Sequence, residues 1–338
     1  MAIEYLKQEL LELNLRIREA FSQASGLSRD QMTTCRWLVM NMPCPSGDVS
    51  TTQKKLVASL EIAVEYSREH NLEEVVGWCM AAAQDECLGL QHEEREHDLM
   101  VTKPIISAFL REYLPPPARV LDVACGTGRF SLPLAAQGYD ISLFDPAAAF
   151  LEMGLRKAET EGISRKVQSL ICGTFTDLGK LETASHDACF CLRSILYAHP
   201  TKQAEQILSH LARTASKAVV VDVASKYGII LQLGIEFDVS ANSIQQILTT
   251  GVTPPAKPEH GRVVYSCFSA TEFRRIAQNL GLRIHRLVGF GITETLNLGT
   301  SKPIPVDEAL EIESLLQNQE QILDSFPNLL ALCIKRRQ

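Results

Sequence analysis

The chain has 338 residues, 46% of them hydrophobic and 22% charged, which is enough to bury a large core and long for one compact α/β domain. Its 33 basic and 40 acidic residues leave a net charge of −7, which argues against a general nucleic-acid binder and against an anionic membrane surface as partner. No stretch approaches the roughly 18 to 20 uncharged apolar residues of a membrane span, and residues 1–21 mix Glu, Lys and Arg with Leu instead of forming the apolar core of a signal peptide, so a soluble, cytoplasmic protein is expected.

In chain order, residues 3–24, 56–66 and 72–83 carry apolar side chains at three- and four-residue steps and predict helices, while Pro43, Pro45 and Gly47 place a loop over 41–48. Residues 1–97 are therefore expected to form a helical accessory domain that either dimerises the chain or caps a pocket. In the run Gln91-His-Glu-Glu-Arg-Glu-His97, His92 with Glu96 and Glu93 with His97 share a helix face. The pattern is not HExxH, and a solvated charged helix joining two domains is the expected reading, with no metal site assigned. The ten cysteines include no CxxC pair, and they read as reduced thiols packed as small hydrophobes.

From residue 101 a helix runs to the Pro115-Pro116-Pro117 triplet, after which short apolar runs alternate with helical patterns. Strands are predicted over 119–123, 140–144, 167–171, 188–192 and 218–223, with helices over 132–137, 148–161 and 201–214. This alternation implies a parallel sheet covered on both faces. The rhythm breaks over 226–264, where a helical stretch at 235–248 and a Pro-rich loop at 251–261 predict a lid insertion. A helix at 270–280, a strand at 283–290, a helix at 307–324 and a strand at 329–335 follow. The expected fold is α/β, a Rossmann-like, doubly wound, mostly parallel seven-stranded sheet over residues 98–338.

The segment Val120-Leu-Asp-Val-Ala-Cys-Gly-Thr-Gly-Arg129 puts an apolar strand before an acidic residue and a glycine turn, then a helix. Gly126 and Gly128 let the chain bend sharply and let a ligand approach the helix N-terminus. The third glycine of a dinucleotide fingerprint is replaced by Ser131, and Asp122 ahead of the turn would repel a pyrophosphate. A second carboxylate, Asp145, ends the next predicted strand 17 residues after Gly128, where it can accept hydrogen bonds from ribose hydroxyls.

These two stations resemble the class I S-adenosylmethionine-dependent methyltransferases, whose first motif is acidic-x-Gly-x-Gly-x-Gly. Here it reads Asp122-x-Ala124-x-Gly126-x-Gly128, with alanine in the first glycine position. The resemblance implies S-adenosyl-L-methionine as cofactor, with Asp122, Ala124, Cys125, Gly126 and Gly128 around its methionine part. It also implies Asp145 on the ribose and Pro146 opening the helix that follows. At the third station Thr174 replaces the usual aspartate, leaving adenine to the backbone or to Asp177, with Phe175 packed on the ring. Leu192 completes the cofactor set.

Methyl transfer by in-line displacement needs an acceptor held close to the methyl carbon and, for many acceptors, a base. Residues after the fourth and fifth strands and in the insertion are the candidates: Arg193, Tyr197, His199, Ser225, His260, Arg262 and Tyr265, of which His199, His260, Tyr197 and Arg193 are the catalytic set. Arg193 and Arg262 suit a substrate carboxylate, and Tyr265 suits packing. The resemblance implies a small-molecule acceptor, a metabolite or natural-product intermediate. A non-catalytic S-adenosylmethionine or S-adenosylhomocysteine binder is the alternative.

Overall fold

The computed structural model describes residues 93–145, 148–193, 201–236, 240–254, 265–297 and 304–335. The helices expected over 3–24, 56–66 and 72–83, and the accessory domain they would form, lie outside the described residues.

Eight strands form one sheet: β1 (Arg119–Val123), β2 (Asp140–Asp145), β3 (Val167–Cys172), β4 (His186–Cys191), β5 (Ala215–Ser225), β6 (Cys267–Phe268), β7 (Leu282–Phe290) and β8 (Asn328–Lys335). Their order is β3-β2-β1-β4-β5-β8-β7, with the two-residue β6 set beside β5. β8 runs antiparallel between β5 and β7, and the other pairings are parallel. The expected sheet is thus present with β6 as an eighth, minor strand, too short to register as a pattern in the sequence. Among the described residues the helices are α1 (Glu93–Tyr113), α2 (Leu132–Ala136), α3 (Ala148–Thr160), α4 (Thr201–Thr214), α5 (Lys226–Glu236), α6 (Ala241–Thr250), α7 (Ala270–Asn279), α8 (Ile292–Asn297) and α9 (Val306–Leu316).

The central strands are apolar on both faces because both faces are covered. Leu121, Val123, Cys189, Cys191, Val219, Val221 and Cys333 point to one side, against Ile207 and Leu211 of α4 and Phe273 and Ile276 of α7. Val120, Ala188, Phe190, Val220, Leu330 and Leu332 point to the other, against Ile106, Phe109 and Leu110 of α1. Successive residues thus serve opposite cores, as the two-residue strand period requires. Cys125, Cys189, Cys191, Cys267 and Cys333 are buried thiols outside any disulfide, and Cys172 is half-buried.

Two helices depart from expectation. The single stretch at 235–248 is two helices, because α5 starts at Lys226 directly after β5 and α6 begins separately behind Ser240, whose Oγ accepts the Ser243 N–H at 3.0 Å. The sequence of α5, Lys-Tyr-Gly-Ile-Ile-Leu-Gln-Leu-Gly-Ile-Glu, is apolar almost all round, so it has no helical stripe to read. The helix expected to reach residue 324 ends at Leu316 and is followed by a 3-10 turn, Glu320–Ser325. That turn is held by tertiary bonds: Asp324 Oδ1 accepts the Ala270 N–H at 2.6 Å, and the Asp324 carbonyl accepts the Ser225 hydroxyl at 2.7 Å. No described helix is long and apolar enough to cross a membrane.

Candidate functional site

The sheet order places β1 between β2 and β4, the point at which an open α/β sheet reverses direction and leaves a crevice at the carboxyl ends of its strands. The loop leaving β1 enters that crevice. Ala124, Gly126 and Gly128 all have left-handed backbones, with φ of 55°, 54° and 76°. The turn is tied down by the Cys125 N–H on the Phe144 carbonyl (3.2 Å) and the Gly128 N–H on the Cys125 carbonyl (2.9 Å), and the Leu132 N–H on the Gly128 carbonyl (2.8 Å) leads into α2.

The two glycines are needed for different reasons. A Cβ at Gly128 would lie 2.9 Å from Leu132 Cγ, whereas one at Gly126 would meet nothing within 4 Å. Gly126 therefore borders open space, which is what close approach of a ligand to backbone amides requires.

Two carboxylates flank the loop. Asp145, at the end of β2, accepts the Gly126 N–H on Oδ2 at 2.9 Å. Asp122 lies beneath the loop, 2% exposed, and its Oδ2 accepts the Ser131 hydroxyl at 2.6 Å. Burial pushes the Asp122 carboxyl up to about 7, opposed by the Ser131 bond and assisted by the negative charge of Asp145. Burial, followed by Asp145 and Asp122, also pushes the Cys125 thiol well up, which disfavours its thiolate.

After β3, the Gly173 N–H reaches the Asp145 carbonyl at 3.1 Å. Thr174 and Asp177 form a capping box: Asp177 Oδ2 accepts the Thr174 N–H at 2.9 Å and its hydroxyl at 3.1 Å. Asp177 Oδ1 faces Lys180 at 2.7 Å. Although burial works against it, the bonds from Lys180 and Thr174 hold the Asp177 carboxyl below its ordinary range. The Asp177 carboxylate is thus engaged within its own turn. Phe175 packs half-buried on the first core, and Leu192 is buried in the second.

At the exit of β4, Arg193 has a left-handed backbone, φ 51°. Its N–H donates to Oδ1 of the buried Asp222 at 2.7 Å, and its guanidinium carbon stands 5.8 Å from the centroid of the Phe290 ring. Ser225, a candidate from the sequence, is fully buried and its hydroxyl donates to the Asp324 carbonyl, so it joins β5 to the 3-10 turn. Tyr265 packs on the small cluster containing Ile247 and Cys267. Pro146, Tyr197, His199, His260 and Arg262 lie outside the described residues.

The structure therefore brings together Asp122, Ala124, Cys125, Gly126, Gly128 and Asp145, and it adds residues that sequence reading missed. Ser131 appeared only as a lost glycine, although its hydroxyl sits three residues past Gly128 and nine past Asp122. Lys157, whose Nζ donates to Thr127 Oγ1 at 2.8 Å, and Asp222 gave no sequence signal, since both contacts span distant elements. Among the described residues no group of three or more His, Cys, Asp or Glu is arranged to hold a metal. A groove of about 540 Å³ runs along β7, lined by Arg274, Arg283 and Arg286. It sits at the sheet edge, away from the loop after β1.

The donor set suits an adenosyl group carrying an amino-acid tail. Left-handed backbone around open space admits the tail, and a carboxylate ends the neighbouring strand for the sugar hydroxyls. Residues 120–217 match the family model for a methyltransferase domain. Over 118 residues the chain is 33% identical to the chloroplastic magnesium protoporphyrin IX methyltransferase of Arabidopsis thaliana, a match covering 34% of this chain and 36% of that protein. The chain thus spans about a third of the length of that curated relative.

Among solved structures, magnesium protoporphyrin IX methyltransferase from Synechocystis PCC 6803 with bound SAM aligns with 92% of this chain and 99% of its own, at 14% identity and a TM-score of 0.45. A SAM-dependent methyltransferase from Methanosarcina mazei aligns with 70% of this chain and 98% of its own, at 15% identity and a TM-score of 0.49. The sheet order and the glycine turn agree with the match of residues 120–217, which are similar to a methyltransferase domain.

Proposed function

We propose that the chain is an enzyme that transfers the methyl group of S-adenosylmethionine to a small-molecule acceptor, a metabolite or natural-product intermediate. The observation that carries this reading is the left-handed loop at Ala124, Gly126 and Gly128, open at Gly126 and bonded through Gly126 to the Asp145 carboxylate. The sulfonium of the cofactor supplies an electrophilic methyl carbon, so the protein's task is mainly to bind, orient and exclude water.

In this reading Asp145 accepts hydrogen bonds from the ribose hydroxyls while continuing to hold Gly126. The amides of residues 124–128 border the methionine tail, and Asp122 supports its ammonium end from below the loop. Phe175 and Leu192 supply apolar surface for adenine, with Thr174 at the turn beside it. Arg193, presented at the carboxyl end of β4, orients an anionic group of the acceptor. His199, His260 and Tyr197 are proposed to line the acceptor side, where an imidazole nitrogen takes the proton that an oxygen, nitrogen or carbon acceptor releases.

Residues 226–264, which include α5 and α6, are proposed as the lid over that acceptor. The helical region of residues 1–97 is proposed either to cap the same pocket or to pair two copies of the chain. The acceptor named for the Arabidopsis relative, a magnesium porphyrin, is the first compound to assay.

Calorimetric titration with S-adenosylmethionine and S-adenosylhomocysteine, with NAD as control, tests the cofactor side, and a screen with labelled methyl donor tests the acceptor side. Binding of the first two ligands without NAD is expected. NAD binding alone, or no binding to a folded, ligand-free protein, would overturn the reading.

A further inference from the structure

We propose that Lys157 is a positioning residue for the cofactor loop, acting through Thr127 and never touching the cofactor. This rests on the cofactor reading above. Lys157 lies near the end of α3, the helix that follows the strand bearing Asp145, and it reaches back to the turn after β1. Its Nζ donates to Thr127 Oγ1 at 2.8 Å. Thr127 is the residue between Gly126 and Gly128, both in left-handed conformation.

A lysine in this position is costly. The side chain is half-buried, and burial followed by the nearby Arg129 guanidinium pulls its ammonium below the usual lysine range. An ordinary surface lysine keeps its charge in water.

A second contact from the same helix supports the assignment. Gly154, one turn before Lys157, is buried against the loop, and a Cβ there would lie 3.3 Å from the Thr127 carbonyl oxygen and 3.2 Å from Leu143 Cδ1. The missing side chain at 154 lets α3 come close, and the long side chain at 157 then spans to the Thr127 hydroxyl. One face of α3 thus holds both the backbone and the side chain of the residue at the centre of the turn.

Gly126 is fixed from the other side by Asp145. Two independent tethers, one from the end of β2 and one from α3, therefore keep the turn in the shape that leaves open space at Gly126. A turn with alternate residues in left-handed conformation is otherwise free to relax, and each ordered residue costs conformational entropy when the ligand arrives. Preorganising it raises affinity without adding a contact to the ligand.

The test is calorimetric titration of S-adenosylhomocysteine into the full-length wild type, Lys157→Met, Lys157→Arg, Thr127→Val and the Lys157→Met/Thr127→Val double variant, with circular dichroism confirming that each is folded. Lys157→Met and Thr127→Val are each expected to weaken binding about fivefold to tenfold, within the range for losing one ordinary hydrogen bond. The double variant should be no weaker than either single one, and Lys157→Arg should recover most of the affinity. A purely structural role would lower thermal stability without this pattern in affinity. Tight wild-type binding that is unchanged in both single variants, or additive losses in the double variant, overturns this inference alone. A wild type that binds no S-adenosylhomocysteine overturns the cofactor reading and this inference with it.

Discussion

The Asp145 carboxylate and the Gly126 amide, 19 residues apart in sequence, meet at 2.9 Å across the ends of β2 and β1. One side chain thereby links the second strand to the turn after the first. Asp145→Ala removes that bond together with the proposed ribose contacts, and it should weaken S-adenosylhomocysteine binding by roughly 1–3 kcal/mol. Calorimetry at constant pH reads the change, and unchanged affinity would remove Asp145 from the site.

Asp122 sets a pH dependence. Folding raises its pKa from 3.8 to about 7, so the native state holds this proton more tightly than the unfolded chain does. Its contribution to stability is complete below the unfolded value and is lost as pH rises through about 7. Asp122→Asn, which keeps an oxygen for Ser131 and cannot ionise, should gain stability over wild type as pH is raised from 5 to 8. Urea unfolding at the two pH values checks this; parallel curves for the two proteins would contradict it.

Ala124 occupies a left-handed backbone, φ 55°, in which an L-residue pays about 1–2 kcal/mol. Glycine escapes that cost but is freer in the unfolded chain, so Ala124→Gly should raise stability by about 0.5–1 kcal/mol. The midpoint of chemical unfolding, with unchanged denaturant dependence, is the measurement. A loss of stability would mean that the alanine methyl is packed as well as strained.

Gly228 fixes where α5 sits. A Cβ there would overlap the Phe326 carbonyl and the Pro327 Cα, both of them backbone. Gly228→Ala should therefore cost about 2–3 kcal/mol or force α5 outward. Unfolding experiments read the first outcome. Faster proteolysis within residues 226–264 at unchanged cofactor affinity reads the second.

His199→Ala and His260→Ala address the acceptor side. If either imidazole is the base, its loss should lower kcat by about a hundredfold, with S-adenosylhomocysteine affinity unchanged within about twofold. Full activity in both variants would place proton removal elsewhere.

The turn after β1 and the elements around it were legible in the sequence. The strand from Arg119 to Val123 and the helix from Thr201 to Thr214 have the predicted bounds. Asp122, Gly126, Gly128 and Asp145 fall together around one turn, as their spacing implied. These features are local: an apolar run sets a strand, glycine sets a left-handed turn, and a carboxylate at a strand end is carried to the crevice by the parallel sheet. Only tertiary structure decided the rest. The spacing of Thr174 and Asp177 allows a capping box, but only the folded turn shows that it closes and that Lys180 joins it. Nothing local marks Ser225 as the anchor of a turn 99 residues away, or Lys157 as a tether reaching back 30 residues to Thr127. A short-range pattern records what one stretch of chain can do, whereas the partner that a polar side chain meets depends on which elements the completed sheet brings side by side.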